Sequence, residues 1–447
     1  MILWYNLTGK DLRREIKAEK NKKMVKQNGG QKMKKQNLLR RASAAVLSAI
    51  IAAGCAFAPS GEMTVSADEL FDELPAFSET ESLDATVSYV YYGGRKIARV
   101  KNTGTYVFIN QRDPHLNGQA LVYLLRDDVQ KKIVLPAVRI ETDRGLTIGS
   151  NKTILANGAT VFQTNPQKQL INNDCDKLNY KSVENVKIQG GRWEIADNDR
   201  MLRDTSTIRF NHGSNIKLVN MDIATNYRSH GIEIIACKDV TISGCTVKAS
   251  GTPASNCLEE AVQIDIATPA TAPTVAAFGS KFVQGQTCEN ITVKNCTISG
   301  GRGICCNKTA TEGKRYHSFY HKNITITGCN LTGVTSEALC LHNTYGVTVK
   351  NNTIMSKGSR INSTYSIGMN MGTFGYADAS SRPNLIERNK IYGGMYGMVI
   401  RSYEGTSKFG STVVRSNEFY CKKGSKRGKY VRDCMPYKAG GNRLYNW

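Results

Sequence analysis

Between residues 183 and 420 the chain repeats one arrangement of apolar and polar positions. Eight segments carry it: NVKIQGGRW (185–193), NIKLVNMDI (215–223), DVTISGCTV (239–247), NITVKNCTI (290–298), NITITGCNL (323–331), GVTVKNNTI (346–354), PNLIERNKI (383–391) and STVVRSNEF (411–419). Each reads aliphatic, any, aliphatic, two residues, a Cys/Asn/Gly/Met position, then an apolar residue two further on. One column is Ile188, Leu218, Ile242, Val293, Ile326, Val349, Ile386 and Val414. Another is Trp193, Ile223, Val247, Ile298, Leu331, Ile354, Ile391 and Phe419. All of these positions are apolar, against 40% of the whole chain. Period-two alternation predicts a strand in each unit. Such strands recur every 23 to 51 residues with no helical pattern between them, which predicts an all-β fold, a parallel β-helix. The column Cys245, Cys296, Cys329, Asn352, Asn389, Asn417 then becomes an internal stack, with neighbours ~4.8 Å apart.

A second strand type lies between the units: STIRFN (206–211), HGIEII (230–235), EAVQID (260–265), RGICCN (302–307), EALCLH (337–342), YSIGMN (365–370) and YGMVIR (396–401). Its second position is small every time, as a backbone bend would require. The longest insertions, 267–288, 308–322, 371–382 and 402–410, all follow this strand type. They should rise from one edge of the solenoid and wall a groove.

Alternation sorts the second strands into inward and outward positions. Ile232, Ile234, Val262, Ile264, Ile304, Cys306, Leu339 and Leu341 point in. Glu233, Gln263, Cys305 and Cys340 form one outward column. Ile235, Asp265, Asn307 and His342 form the next, with Asn370 and Arg401 beyond. His230, Glu260, Arg302 and Glu337 stand at the strand starts. An ionisable patch should therefore cover four coils beside the loop wall. Glu233 and Asp265 are one coil and two residues apart, so their Cβ atoms lie ~8 Å apart. Carboxyls ~6.5–9.5 Å apart suit an inverting glycosidase, one as acid and the other as base for water. Glu233 and Asp265 are the candidate pair, with Glu260 and His230 tuning it. Gln263, Arg302, Asn307, Lys308, Glu337, His342 and Arg401 are candidate substrate contacts. Arg302, Lys308, His317, His321 and Arg401 offer charge for a uronate or sulfate. A lyase base would come from Tyr320, His342 or Lys308. No cofactor is predicted. Glu233, Glu260 and Asp265 form the one oxygen set considered for calcium.

The chain resembles the pectin-lyase-like superfamily of right-handed parallel β-helix proteins, and polygalacturonases in particular. The resemblance rests on the repeat and on the stretch before it: NGQALVYLLRDD (117–128), KKIVLPAVRI (131–140) and LTIGSNKTILANGATVF (146–162). It covers about residues 115–420 and implies a capping helix over the opening coil. Asp113-Pro114-His115 is similar to part of the D-P-H-E run of alginate epimerases. The N-x-D, D-D, G-H-G and R-x-K set of polygalacturonases is not intact. Ser229-His230-Gly231 and Leu341-His342-Asn343 do not match it, so no catalytic residue carries over.

Residues 44–58 are a 15-residue apolar stretch preceded by Lys34, Lys35, Arg40 and Arg41, which reads as a secretion signal. Cleavage fits after Ala67, and a lipid anchor at Cys55 is the lesser alternative. Translation is expected to begin at Met33. Residues 1–67 are thus leader and signal, 68–84 an acidic linker, and 85–447 the β-helix domain, with coils over about 133–420 and a basic tail. The formal net charge of +23 falls to +14 once residues 1–67 are removed. No nucleic-acid motif accompanies it, and no second apolar run is long enough to span a bilayer. Of 13 cysteines, 12 lie beyond the signal. Cys421 with Cys434, and Cys305 with Cys340, are placed to pair; the stacked cysteines read as buried thiols. The expectation is a secreted, monomeric protein acting on an anionic polysaccharide, first as a hydrolase and second as a lyase or epimerase. The rival of another class is a non-catalytic glycan-binding β-helix.

Overall fold

The computed structural model describes residues 82–84, 87–101, 104–166, 169–196, 205–307, 319–358, 367–374, 383–404, 409–422, 429–431, 434 and 437–446. The leader, the signal with Cys55, Lys308 and His317 lie outside these residues. Three parallel sheets wind into a right-handed β-helix. Both predicted apolar columns run in register. Ile188, Leu218, Ile242, Val293, Ile326, Val349, Ile386 and Val414 pair coil to coil in the first sheet. Trp193 through Phe419 do so in the second. All are buried, each contributing roughly 1.5–3 kcal/mol of apolar transfer. The second strand type forms the third sheet.

One expectation is corrected. Each repeat unit is two strands from two sheets, not one. The bend falls on a left-handed residue just before the Cys/Asn position: Asn220, Gly244, Asn295, Gly328, Asn351, Arg388 and Ser416 all have positive φ. Five of these seven are Gly or Asn, the residues that take that conformation most readily.

The stack behind the bend changes chemistry along the axis. Asn389 Oδ1 accepts from the Asn352 backbone N–H (3.0 Å) and amide (2.9 Å), while its own amide donates to the Val349 carbonyl (2.9 Å). The thiols make weaker links of the same kind. Cys245 N–H donates to Cys296 Sγ at 3.4 Å, and Cys296 N–H to Cys329 Sγ at 3.5 Å. Asn389→Ala orphans several buried groups at once, at about 1–3 kcal/mol for each. The expected result is a thermal midpoint well below that of Cys296→Ala, measured by circular dichroism.

A second stack stands at the turn from the third sheet to the first. Cys237 N–H donates to Cys288 Sγ (3.4 Å), and Cys288 N–H to His321 Nδ1 (3.1 Å). His321 is therefore not a loop ligand: it is fully buried, and burial pushes its pKa down to about 3.

At the N-terminal end, antiparallel strands Val87–Tyr92, Arg95–Lys101 and Thr105–Phe108 extend the first sheet. Helix α1 (Pro114–Leu125) buries Leu116, Leu121, Leu124 and Leu125. Asp113-Pro114-His115 proves to be its cap: the Asp113 carboxylate accepts from the His115 and Leu116 N–H groups, and Pro114 fills the first turn. No helix among the described residues is long and apolar enough to cross a membrane.

Candidate active site on the third sheet

The third-sheet strands Ser206–Asn211, His230–Ile235, Glu260–Asp265, Arg302–Cys306, Leu339–His342, Ile367–Phe374 and Tyr396–Glu404 set the predicted columns side by side. Glu233 pairs with Gln263, Gln263 with Cys305, Cys305 with Cys340 and Cys340 with Asn370. Ile235 pairs with Asp265. Asn307 follows in the next coil, its N–H donating to the Ile264 carbonyl (2.9 Å). His342 pairs with Gly372 and Gly372 with Arg401. Arg401 thus stands two coils beyond His342 and away from the acid pair. At the strand starts, His230, Glu260, Arg302 and Glu337 occupy successive coils.

The patch is buried, which corrects the expected open face. Glu233, Glu260, Gln263, His230, Arg302, Glu337 and His342 are each less than a tenth exposed, and Asp265 is wholly enclosed. One physical reason lies in residues 267–288, which fold onto the sheet. Ala267, Ala272, Val275, Phe282 and Val283 form a small core with Ile235, Ala236 and Cys175. Alternation along a strand cannot reveal such a cover.

Burial forces the charges to pair. Glu233 Oε2 accepts from Arg209 Nε (2.5 Å) and from the Ser206 hydroxyl. Arg302 bridges two coils, its Nη1 donating to Glu260 Oε1 (3.1 Å) and its Nε to Glu337 Oε2 (3.3 Å). Glu337 also accepts from the Ser336 hydroxyl and from the Asn370 amide (3.2 Å). His230 Nδ1 lies 3.0 Å from the Glu260 carbonyl. Burial pulls the His230 pKa down, but the Glu233, Glu260 and Glu259 carboxylates outweigh it and hold it above the ordinary imidazole value.

Arg209 and Ser206 were not singled out from the sequence. The signal was there: STIRFN is a second-type strand, and aligning it with HGIEII puts Arg209 opposite Glu233.

Asp265 is the exception to this pairing. Neither carboxyl oxygen has a hydrogen-bond partner. Burial first, then the Glu233 charge, hold its pKa well above the usual carboxylate range. Asn307 and Arg209 pull the other way without closing a hydrogen bond onto it. Asp265 therefore holds its proton more strongly than an exposed carboxyl does, beside a salt-bridged glutamate, an arrangement that separates acid from base.

The set considered for calcium is divided. Glu233 is held by Arg209 and Glu260 by Arg302, while Asp265 favours its proton. Among the described residues, His230, Glu259 and Glu260 form a group of three such side chains whose ligand atoms lie within 4.8 Å of one another. All twelve described cysteines are buried, and Cys305 and Cys340 carry thiols rather than a disulfide.

No protein-family profile matches the chain, and no curated protein is similar to it. Solved structures do resemble it. PfbA, a surface adhesin of Streptococcus pneumoniae, is 14% identical, with 74% of this chain and 88% of that one covered and a TM-score of 0.49. The polygalacturonase from Erwinia carotovora ssp. carotovora is 12% identical over 83% and 98%, TM-score 0.47. The alginate lyase from Paenibacillus sp. str. FPU-7 is 10% identical over 76% and 99%, TM-score 0.40. The parallel sheet orders and register settle the fold. It is a parallel β-helix of three sheets. A β-helix does not by itself imply an activity, which rests on the site.

Proposed function

We propose that the chain is a secreted, monomeric enzyme that hydrolyses a uronic-acid-containing polysaccharide at the outer face of the third sheet. One observation carries the reading: Asp265 is enclosed, unpartnered and favours its proton, one coil from an arginine-bound Glu233. Their offset gives a Cβ separation of ~8 Å, from which the two carboxyls can take up the ~6.5–9.5 Å spacing of inverting pairs. With the cover of residues 267–288 moved aside to admit substrate, Asp265 gives its proton to the glycosidic oxygen as the bond to C1 breaks. Glu233 takes a proton from the water that adds to C1 on the opposite face. One water is thus split: its hydroxyl is on C1, the departing chain ends as an alcohol, and the new reducing end has inverted configuration. Arg209 and Ser206 act as positioning residues: they hold the Glu233 carboxylate in one orientation, so the base is already aligned when substrate arrives. The excess of basic over acidic residues beyond residue 67 suits an anionic polymer.

The test is the anomeric configuration of the first product, read by proton NMR on polygalacturonate and alginate. Inversion is expected, and Glu233→Gln should slow cleavage by about 10²–10⁴-fold. A retained anomer, or an undiminished Glu233→Gln rate, refutes the pair. The non-catalytic reading is favoured by the enclosure of the patch behind its own ion pairs. It predicts glycan binding with no bond broken.

A further inference from the structure

Positive charge gathers at the C-terminal end of the solenoid. Residues 383–447 hold 13 Lys/Arg and 4 Asp/Glu, whereas residues 68–382 hold 34 and 29. The last 65 residues therefore carry a net +9, and the 315 before them only +5. Five of these cations, Arg388, Lys390, Arg415, Lys438 and Arg443, line the corner where the first sheet bends into the second on the last three described coils. We propose that this corner is an anchoring surface for the anionic polysaccharide, separate from Asp265 and Glu233. The proposal rests on the glycan-acting reading for the identity of the polymer.

Strand register sets the array. Glu387 pairs with Lys350 of the coil before it and with Arg415 of the coil after it. Across the bend, Lys390 pairs with Glu418 and Glu418 with Arg443. Lys438 pairs with Val413, one residue from the inward Val414 column, so it points outward.

The two acids within the array do not balance it. Glu387 is 3% exposed and faces three cations: Lys350 Nζ at 3.0 Å, Arg388 Nη2 at 3.4 Å and Arg415 Nε at 2.9 Å. Arg388 and Arg415 still keep 59% and 54% of their side chains exposed. Glu418 accepts from the Tyr420 hydroxyl (2.8 Å) and lies 3.9 Å from Lys390, which is itself 58% exposed. Lys438 and Arg443 are exposed and form no ion pair among the described residues. Like charges gathered this closely repel one another, and a polyanion lying across them relieves that repulsion.

Tyrosines beside the cations narrow the partner. Tyr392 stacks on Tyr420 (ring centres 4.3 Å apart, planes 10° apart), and Tyr420 on Tyr445 (4.9 Å, 19°). The half-buried rings cover one another's faces, so their edges turn to solvent. Ring edges carry the positive end of the aromatic quadrupole, which adds to the attraction for an anion. Single-stranded nucleic acid uses open ring faces for its bases, and a neutral sugar leaves the cations unused. A polymer of uronates uses both edges and cations. The corner lies three to five coils, roughly 14–24 Å along the axis, from Asp265 and away from the third sheet. A long chain can engage both places at once, which makes the second contact intramolecular. A trisaccharide cannot.

The experiment measures binding of polygalacturonate, trigalacturonate and duplex DNA to the Asp265→Asn protein by calorimetry, so that no ligand is cleaved. Polygalacturonate is expected to bind roughly tenfold or more tighter than trigalacturonate. That advantage should vanish as salt rises from about 0.1 M to about 1 M, where the screening length falls from ~10 to ~3 Å. Adding Lys390→Glu, Lys438→Glu and Arg443→Glu together should lower polymer affinity about tenfold. None of these three holds Glu387, and an unchanged thermal midpoint shows that the fold is intact. If the reversed protein melts early, Lys390→Gln, Lys438→Gln and Arg443→Gln take its place, with a loss of about threefold expected. The control reverses Lys187, Lys217 and Lys294, outward on the first sheet, and changes the net charge equally. It should cost polymer affinity less than about twofold. Undiminished affinity in the corner variant, an equal loss in the control, or DNA bound as tightly as polygalacturonate overturns the surface. Cleavage by the wild-type protein is scored separately. A wild type that cleaves while the corner variant binds polymer as before refutes the surface alone. A wild type that never cleaves while the corner variant loses polymer refutes the hydrolase and keeps the surface.

Discussion

Asp265→Asn is expected to abolish glycan cleavage and, at the same time, to stabilise the fold. The loss follows from its role as proton donor, and removal of such a group costs about 10²–10⁴-fold in rate. The gain follows from its surroundings. Asp265 is wholly buried and neither carboxyl oxygen is hydrogen-bonded. An amide carries no proton to lose, so it avoids the burial of charge. The pH dependence has a definite sign. The folded pKa of Asp265 lies above its unfolded value near 3.9. Its contribution to stability is therefore fully present below about pH 4 and is lost as pH rises through the folded pKa. Wild type and Asp265→Asn should melt close together at acid pH and diverge as pH rises. At neutral pH the variant should be the more stable, because it avoids the ionisation that the raised pKa opposes, by about 1.4 kcal/mol for each pH unit between the unfolded and folded values. Thermal melts from pH 4 to 8 measure this. A variant less stable than wild type at every pH would mean that the carboxyl has partners which the amide loses, and would contradict its isolation.

Arg302→Met is expected to be the most destabilising single change at the site. One guanidinium holds Glu260 from one coil and Glu337 from the next, and all three side chains are at most a tenth exposed. Removing it strands two buried carboxylates, where breaking a buried pair typically costs about 3–5 kcal/mol. The triple variant Arg302→Met, Glu260→Gln, Glu337→Gln should recover most of that loss, because it removes the charges together with their partner. Urea denaturation of both variants gives the comparison. A single variant within about 1 kcal/mol of wild type would show that the bridge does not hold the coils.

The solenoid was legible because inward positions answer to one physical demand. Ile242 must meet Leu218 below and Val293 above, so its column stays apolar and can be counted along the chain. The outward register came with it, since a strand's two faces are linked by a fixed period of two. Glu233 and Asp265 therefore stand where alternation put them. Two kinds of information were hidden. The bend inside each unit depends on left-handed residues such as Asn295 and Arg388, and only some of these are of a type that signals a turn. The burial of the patch depends on tertiary cover. Val275 and Phe282 read as loop residues until they are seen against Ile235. His321 shows the same limit: a histidine in an insertion reads as a ligand, yet here it ends a stack of thiols by accepting the Cys288 N–H. Arg209 was within reach of the alignment, because its strand shares the register of Glu233.

The most direct test of the central claim exposes a panel of acidic glycans to wild type and to Asp265→Asn, reading new reducing ends and unsaturated uronate ends together. The acid pair predicts that wild type releases reducing ends from at least one uronic-acid polymer without unsaturated product, and that Asp265→Asn releases none. Unsaturated ends would identify a lyase, and equal release by both proteins would remove Asp265 from the chemistry; either result contradicts the proposed mechanism.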